Sequence, residues 1–219
     1  MSVTSGLAAP AGFRGVFRVD DEARAVYAEA AGIGRMMPRA VAVAVDVDDL
    51  SLLARWATET RTPLLPRGSG SSMPGGAIGD GVIVDLSRWR AIGDVDPEAR
   101  TIRVGSGVLR AEVESLARAK GLRFPVDPSS GTFCTVGGMA STNAAGSHSM
   151  RFGSMRGWVH ALDCVFADGS RATVRRGAPA PGGAPPLDRF LAAAPMLVER
   201  ERIAPSVHAG VRKDSSGYA

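Results

Sequence analysis

The sequence predicts an α+β fold, and three observations carry that reading. A strand–helix–strand–loop–strand succession runs over residues 40–86. An Asp168-Gly169 dipeptide separates two apolar runs, a strong β-hairpin signal. The segment "VLRAEVESLARAKG" (108–121) is amphipathic at helical spacing, with Leu109, Val113, Leu116 and Ala117 on one face and Gly121 to end it.

The other elements follow in chain order. "DEARAVYAEAA" (21–31) reads as a helix and "AVAVAVDV" (40–47) as a strand. Asp48 or Asp49 caps the next helix, "LSLLARWATET", in which Leu50, Leu53, Ala54 and Ala57 fall at helical spacing. A short strand (62–66), a glycine-rich loop and the strand "GVIVDL" (81–86) complete the first lobe. "IGDVD" and "TIRVGS" flank "PEAR" as a hairpin. "WVHALDCVFADGSRATVRR" gives two strands around Asp168-Gly169, and "GAPAPGGAPP" (177–186) is a low-complexity loop. "LDRFLAAAPMLVERER" reads as a helix broken at Pro195. No internal repeat is visible. The ending "RKDSSGYA" resembles the interior of a longer protein.

Composition excludes several classes. A chain of 219 residues makes one large domain or two lobes, and buries a core without disulfides. No apolar run approaches the roughly 20 residues of a membrane-spanning helix. The start "MSVTSGLAAPAGFRG" lacks the basic and apolar regions of a secretory signal. The two cysteines, Cys134 and Cys164, match no metal-ligand spacing and build no disulfide framework. A cytoplasmic location and the absence of a metal site are expected. All 26 basic residues but Lys120 and Lys213 are arginine, a side chain suited to phosphates and carboxylates. They are scattered rather than striped, so nucleic-acid binding is not expected.

The chemistry concentrates in two loops. "PRGSGSSMPGG" (66–76) offers Gly68 and Gly70 but has Met73 where a G-x-G-x-x-G fingerprint needs glycine, and a strand follows instead of a helix. No Walker lysine is present. The loop is either an anion-wrapping nest, with Ser69, Ser71 and Ser72 as donors and Arg67 as charge partner, or a plain surface turn. The second loop, "DPSSGTFCTVGGMASTNAAGS" (127–147), includes a candidate helix start at Gly137-Gly138, whose N–H groups would face a phosphate.

Together "PRGSGSSMPGG" and "DPSSGTFCTVGGMASTNAAGSHSMRFGSMRGWVHALDCVFADGS" resemble the FAD-binding, PCMH-type domain of the vanillyl-alcohol-oxidase superfamily. The branch that fits is the one holding D-lactate dehydrogenase, the glycolate oxidase FAD subunit and D-2-hydroxyglutarate dehydrogenase. The marks are P-R-G-x-G after a strand, GG followed by TNAAG, and R-F-G-S leading into V-x-x-L-x-x-V-x-A-D-G; "RKDSSGY" (212–218) also fits. Ala145, where a second glycine is usual, and the bulky Trp158 depart from the pattern.

The resemblance implies a two-lobed FAD-binding fold, each lobe a small mixed sheet with helices: a segment 1–37, lobe one about 38–95 and lobe two about 96–219, with the substrate domain absent. It implies that Arg67, Gly68, Ser69, Gly70, Ser71 and Ser72 wrap the FAD diphosphate. Pro128, Ser129, Thr135, Gly137, Gly138, Ser141, Asn143 and Gly146 line the flavin and ribityl side, with Gly153 close by. It implies oxidation of a D-2-hydroxy acid by hydride transfer to flavin N5, with Arg212 and Ser216 on the substrate carboxylate. No residue of this chain is assigned a catalytic proton-transfer role, and the fragment alone is expected to be inactive. No histidine falls in 67–76, where relatives with attached flavin carry one, so FAD is expected to be non-covalent. His148 reads as a ligand contact or an exposed loop residue, His160 as a strand residue and His208 as a loop residue. Cys134 reads as a small packed residue and Cys164 as strand core. The electron acceptor is unspecified. A non-catalytic FAD-binding module or subunit, and a sugar or lactone oxidase on the same fold, stand as alternatives.

Overall fold

The computed structural model describes residues 7–200, apart from the side chains of residues 197, 198 and 200. A four-stranded mixed sheet, ordered β1-β2-β4-β3, anchors the molecule. Its strands are β1 (Val16–Arg18), β2 (Ala40–Val43), β3 (Leu64–Arg67) and β4 (Val82–Asp85). β1 runs antiparallel to β2, while β4 lies parallel to both β2 and β3. All four residues of β4 are buried, as expected of a central parallel strand covered on both faces. The core gathers Ala40, Ala42, Leu53, Val82 and Val84, with Phe13, Phe17 and Trp56 stacked edge to face beside them.

Helix α1 (Asp21–Val26) stops five residues short of the predicted end. The peptides beyond it are taken by distant partners: Ala31 N donates to Gly70 O at 3.0 Å, and the Tyr27 and Glu29 carbonyls accept from Arg67. Helix α2 (Val47–Thr60) begins earlier than predicted, because Asp46 is its cap, accepting from Asp48 N and Asp49 N at 3.0 and 3.1 Å. Asp49 is instead buried and accepts from Arg14 N and Val45 N. The predicted 92–106 hairpin is present as isolated antiparallel bridges, Ile92 to Val104 and Asp96 to Thr101.

Helix α3 (Arg110–Ala119) is rotated from the predicted face: Val113 is buried but Leu116 is exposed. Glu114 goes inside, where it accepts from Phe124 N and Arg118 Nε at 2.9 and 2.6 Å. α4 (Val136–Ser141), α5 (Ser149–Phe152) and a 3-10 turn (Met155–Trp158) pack around a second core of Val126, Cys134, Met139 and Met155. Trp158 therefore ends a turn rather than starting a strand.

The second sheet is an antiparallel pair, β5 (Ala161–Val165) and β6 (Arg171–Arg175), and not a mixed one. Its Asp168-Gly169 turn reverses the chain directly, with Gly169 at φ +78°. The hairpin docks on α2: Arg171 Nε donates to Ser51 Oγ at 2.7 Å, Arg171 pairs with Asp48, and Thr58 Oγ1 donates to the Ala167 carbonyl. α6 (Pro185–Arg200) runs through Pro195 without the predicted break. Among the described residues no helix is long and apolar enough to cross a membrane, and no cluster of metal-ligating side chains forms.

Candidate functional site

The glycine loop leaves the C-terminal end of β3 and borders a cleft of about 540 Å³ lined by Arg67, Ser69, Gly70, Ser71 and, facing them, Leu109 and Phe133; Glu29, Ala30 and Ala31 close one side. Arg67 organises it. A single nitrogen, Nη1, donates to the carbonyls of Tyr27, Glu29 and Ala77 at 3.3, 2.9 and 3.0 Å, joining the N-terminal segment to the loop. The guanidinium also lies over the Tyr27 ring, 5.2 Å from its centre. Tyr27 in turn donates to Asp85 Oδ2 at 2.6 Å, and burial together with that bond pushes the phenol up to about 12.

Arg67 has no carboxylate within ion-pair distance among the described residues, and burial lowers its pKa without neutralising it. A cation held on carbonyl dipoles and facing an open cleft attracts an anion. The loop beside it is bare by construction. Gly70 sits at φ +73°, and a methyl there would strike Arg67 Nη2 at 2.5 Å. A methyl at Gly68 would meet Thr135 Oγ1 at 2.2 Å. Ser69 and Ser71 hydroxyls stand 3.4 Å apart, and the buried Ser72 hydroxyl has no partner. These features fit a phosphate-bearing ligand: a lining of small residues, a cation without a carboxylate partner among the described residues and an orphaned hydroxyl.

Residues 38–175 match the sequence profile of a family described as an FAD binding domain. The chain belongs to that family. Curated relatives of this FAD-binding chain include D-2-hydroxyglutarate dehydrogenase of Pseudomonas putida, 34% identical over 73% of this chain and 16% of its own length. D-lactate dehydrogenase of Anaerostipes hadrus is 32% identical over 64% of this chain and 30% of its own length. The glycolate oxidase subunit GlcD of Bacillus subtilis is 33% identical over 61% of this chain and 29% of its own length. The chain thus spans less than a third of these relatives. Among solved structures, 6-hydroxy-D-nicotine oxidase from Arthrobacter nicotinovorans shares the fold with a TM-score of 0.66 at 21% identity, over 78% of this chain and 38% of that one. An alkyldihydroxyacetonephosphate synthase matches with a TM-score of 0.64 at 22% identity, over 76% of this chain and 33% of that one. The fold is the PCMH-type α+β fold, and the cofactor of the family is FAD.

The second loop of this FAD-binding domain is arranged differently from the sequence reading. The amides at the start of α4 are already used: Val136 N donates to Val108 O, Gly137 N to Ser106 O and Gly138 N to Thr135 Oγ1, at 2.8, 2.9 and 3.2 Å. They do not offer free N–H groups to a phosphate. Gly137 is instead a close-approach residue, since a methyl there would meet Ser106 Cβ at 2.6 Å. Ser141 Oγ donates to the Gly137 carbonyl, and Asn143 Oδ1 accepts from Arg156 N at 2.9 Å. Pro128 O accepts from Gly131 N, Ser129 is exposed, and Gly146 backs onto the Asp127 carbonyl. Gly153 ends α5 at φ +71° with open space around it.

The cleft thus gathers Arg67, Ser69, Gly70 and Ser71, with Thr135 against Gly68, while Gly68, Ser72, Pro128, Ser129, Thr135, Gly137, Gly138, Ser141, Asn143, Gly146 and Gly153 do not line it. Arg212 and Ser216 lie outside the described residues, as does His208. Glu29 to Ala31, Leu109 and Phe133 line the cleft without having been named as site residues from the sequence. Leu109 and Glu29 to Ala31 sit in stretches read as helix, so no local signal marks them. Phe133 stands inside the second glycine loop, where an aromatic among small residues is a visible cue.

His148 is exposed and bonded to Asp127 through Nδ1; Ser147 Oγ donates to the same carboxylate at 2.8 Å. Burial opposes ionisation of Asp127, but these bonds prevail and hold it down at about 2. Cys134 is buried and its thiol is pushed up by burial, in keeping with a packing role. Cys164 is only partly buried.

Proposed function

We propose that the chain is the FAD-binding portion of a flavin-dependent oxidoreductase that oxidises a D-2-hydroxy acid. The observation that carries the cofactor half is Arg67: a partly buried cation without a carboxylate partner among the described residues, set beside the glycine loop at a cleft that Ser69, Gly70 and Ser71 also line. The substrate half rests on the relatives, named for D-2-hydroxyglutarate, D-lactate and glycolate.

Bound FAD supplies a two-electron acceptor for hydride removal from the α-carbon. This chain's residues bind and orient. Arg67 holds the loop with one nitrogen and leaves its other donors toward Gly70 and the cleft. The Ser69 and Ser71 hydroxyls line the cleft as donors for a phosphate oxygen. Thr135 fixes the start of α4 behind Gly68, so the two loops keep one spacing.

Non-covalent attachment is part of the proposal: residues 67–76 contain no histidine, and the Cys134 sulfur is buried in the second core. So is a cytoplasmic location, supported by two unpaired cysteines. Arg212, assisted by Ser216, is proposed to bind the substrate carboxylate, where a planar fork fits and lysine does not. Arg212→Ala in a preparation that turns over a D-2-hydroxy acid is expected to lower kcat/KM about tenfold or more.

The deciding measurement is the visible absorbance of the purified chain before and after incubation with FAD and desalting. A flavin spectrum retained on desalting and released by acid precipitation supports the proposal. A folded but colourless protein counts against it.

A further inference from the structure

Phe133 has no role in the cleft as described, and its setting is unusual. The residue is 68% exposed, although the turn carrying it is pinned on both sides. Gly131 N donates to Pro128 O, while Phe133 N and Cys134 N both donate to Ser130 O, each at 2.8 Å. The next residue, Cys134, is buried, and its carbonyl accepts from Arg110 N at 3.0 Å. Arg110 also donates to the Val126 and Phe124 carbonyls, which ties the turn's base to α3. The backbone around Phe133 is thus fixed, and its ring is held out of the core rather than left over from it. It lines the same cleft as Gly70, Ser69 and Ser71, and is the one aromatic residue there among the described residues; Leu109 adds an apolar wall. Ser69, Gly70 and Ser71, which also line the cleft, have only small side chains.

An aromatic face held open in a cleft that takes a dinucleotide suits a planar ring, which stacks at an offset over it. Resting on the FAD reading above, we infer that Phe133 is the ring-stacking residue of the cleft. It receives one planar ring of the dinucleotide on its face while the glycine loop holds the diphosphate. Phe133 is then a binding and specificity residue: it separates ligands that carry the ring from those that carry phosphate alone.

The test titrates the flavin-free chain with FAD in the wild type, Phe133→Ala, Phe133→Leu and Phe133→Trp, reading flavin fluorescence and visible circular dichroism. A residue so exposed is not needed for folding, and thermal melts of each variant check this. Phe133→Ala is expected to weaken FAD binding about tenfold or more, with Phe133→Trp close to wild type. The bound flavin's fluorescence or dichroism changes in Phe133→Ala if the flavin is the stacked ring. Parallel titrations with FMN and ADP locate the contact: whichever ligand loses affinity in Phe133→Ala carries the stacked ring. If wild type and Phe133→Ala bind FAD alike, or Phe133→Leu matches Phe133→Trp in affinity, the inference is overturned while the FAD reading stands. If the wild type binds no FAD, that reading fails, and this one with it.

Discussion

Gly68 lies flush against Thr135: a methyl on Gly68 would stand 2.2 Å from the threonine hydroxyl, which itself caps α4 through Gly138 N at 3.2 Å. The glycine loop and the second loop therefore share one contact, and Thr135, 2% exposed, has nowhere to go. Gly68→Ala is expected to destabilise the domain by about 1–3 kcal/mol and to release FAD. Thr135→Val, which keeps the shape and loses only the cap, is expected to cost about 1 kcal/mol. Urea unfolding measures both. A Gly68→Ala midpoint equal to wild type would contradict the close approach.

Arg67 joins three backbone carbonyls and faces the cleft at once, a task for a planar fork. Both Arg67→Ala and Arg67→Lys are expected to weaken FAD binding about tenfold or more. Retention after desalting reports this. Full rescue by lysine would mean that charge alone matters.

Tyr27 sets a limit on the alkaline side. Its phenol is raised in the folded state, so the neutral form is favoured by folding. That contribution is complete below the ordinary phenol pKa of about 10 and is lost as pH rises from there toward about 12. Tyr27→Phe, lacking the proton and the bond to Asp85, should show a flatter alkaline stability curve. An unchanged curve would show that another group sets it.

Asp127 works in the opposite direction. Its carboxyl is held down at about 2, so its contribution is present above the ordinary carboxylate pKa and fades as pH falls from about 4 toward 2. Asp127→Asn should lower stability at neutral pH and flatten the acid limb, as read by denaturant midpoints across that range. The loss should include the second loop, because Ser147 and His148 both bond to this carboxylate.

What could be read from the sequence was what local chemistry decides. The Asp168-Gly169 turn, the apolar β4 and the glycine loop each carry their signal within a few residues. What escaped depends on distant partners. Asp46 rather than Asp48 or Asp49 caps α2 because Arg14 and Val45 draw Asp49 inward. α1 ends early because Arg67, forty residues on, claims the Tyr27 carbonyl. Glu114 displaces Leu116 from the buried face of α3 because Phe124 N and Arg118 satisfy its charge. The α4 amides looked free because nothing nearby in sequence shows that Ser106 and Val108 accept from them. β1, only three residues long, offered too little pattern to see.

The Arg67 clamp carries a consequence for where this domain begins. The family match starts at residue 38, yet two of the three carbonyls on Arg67 Nη1 belong to Tyr27 and Glu29. Ala31 also donates its amide to Gly70, and residues 29–31 wall the cleft. A polypeptide trimmed to the homology boundary would keep every glycine of the nucleotide loop and still lose the lining that faces them. On the proposed FAD reading, the cofactor's cleft is partly walled by a stretch that precedes the family match, and relatives that differ before residue 38 are expected to differ in how firmly they keep their cofactor.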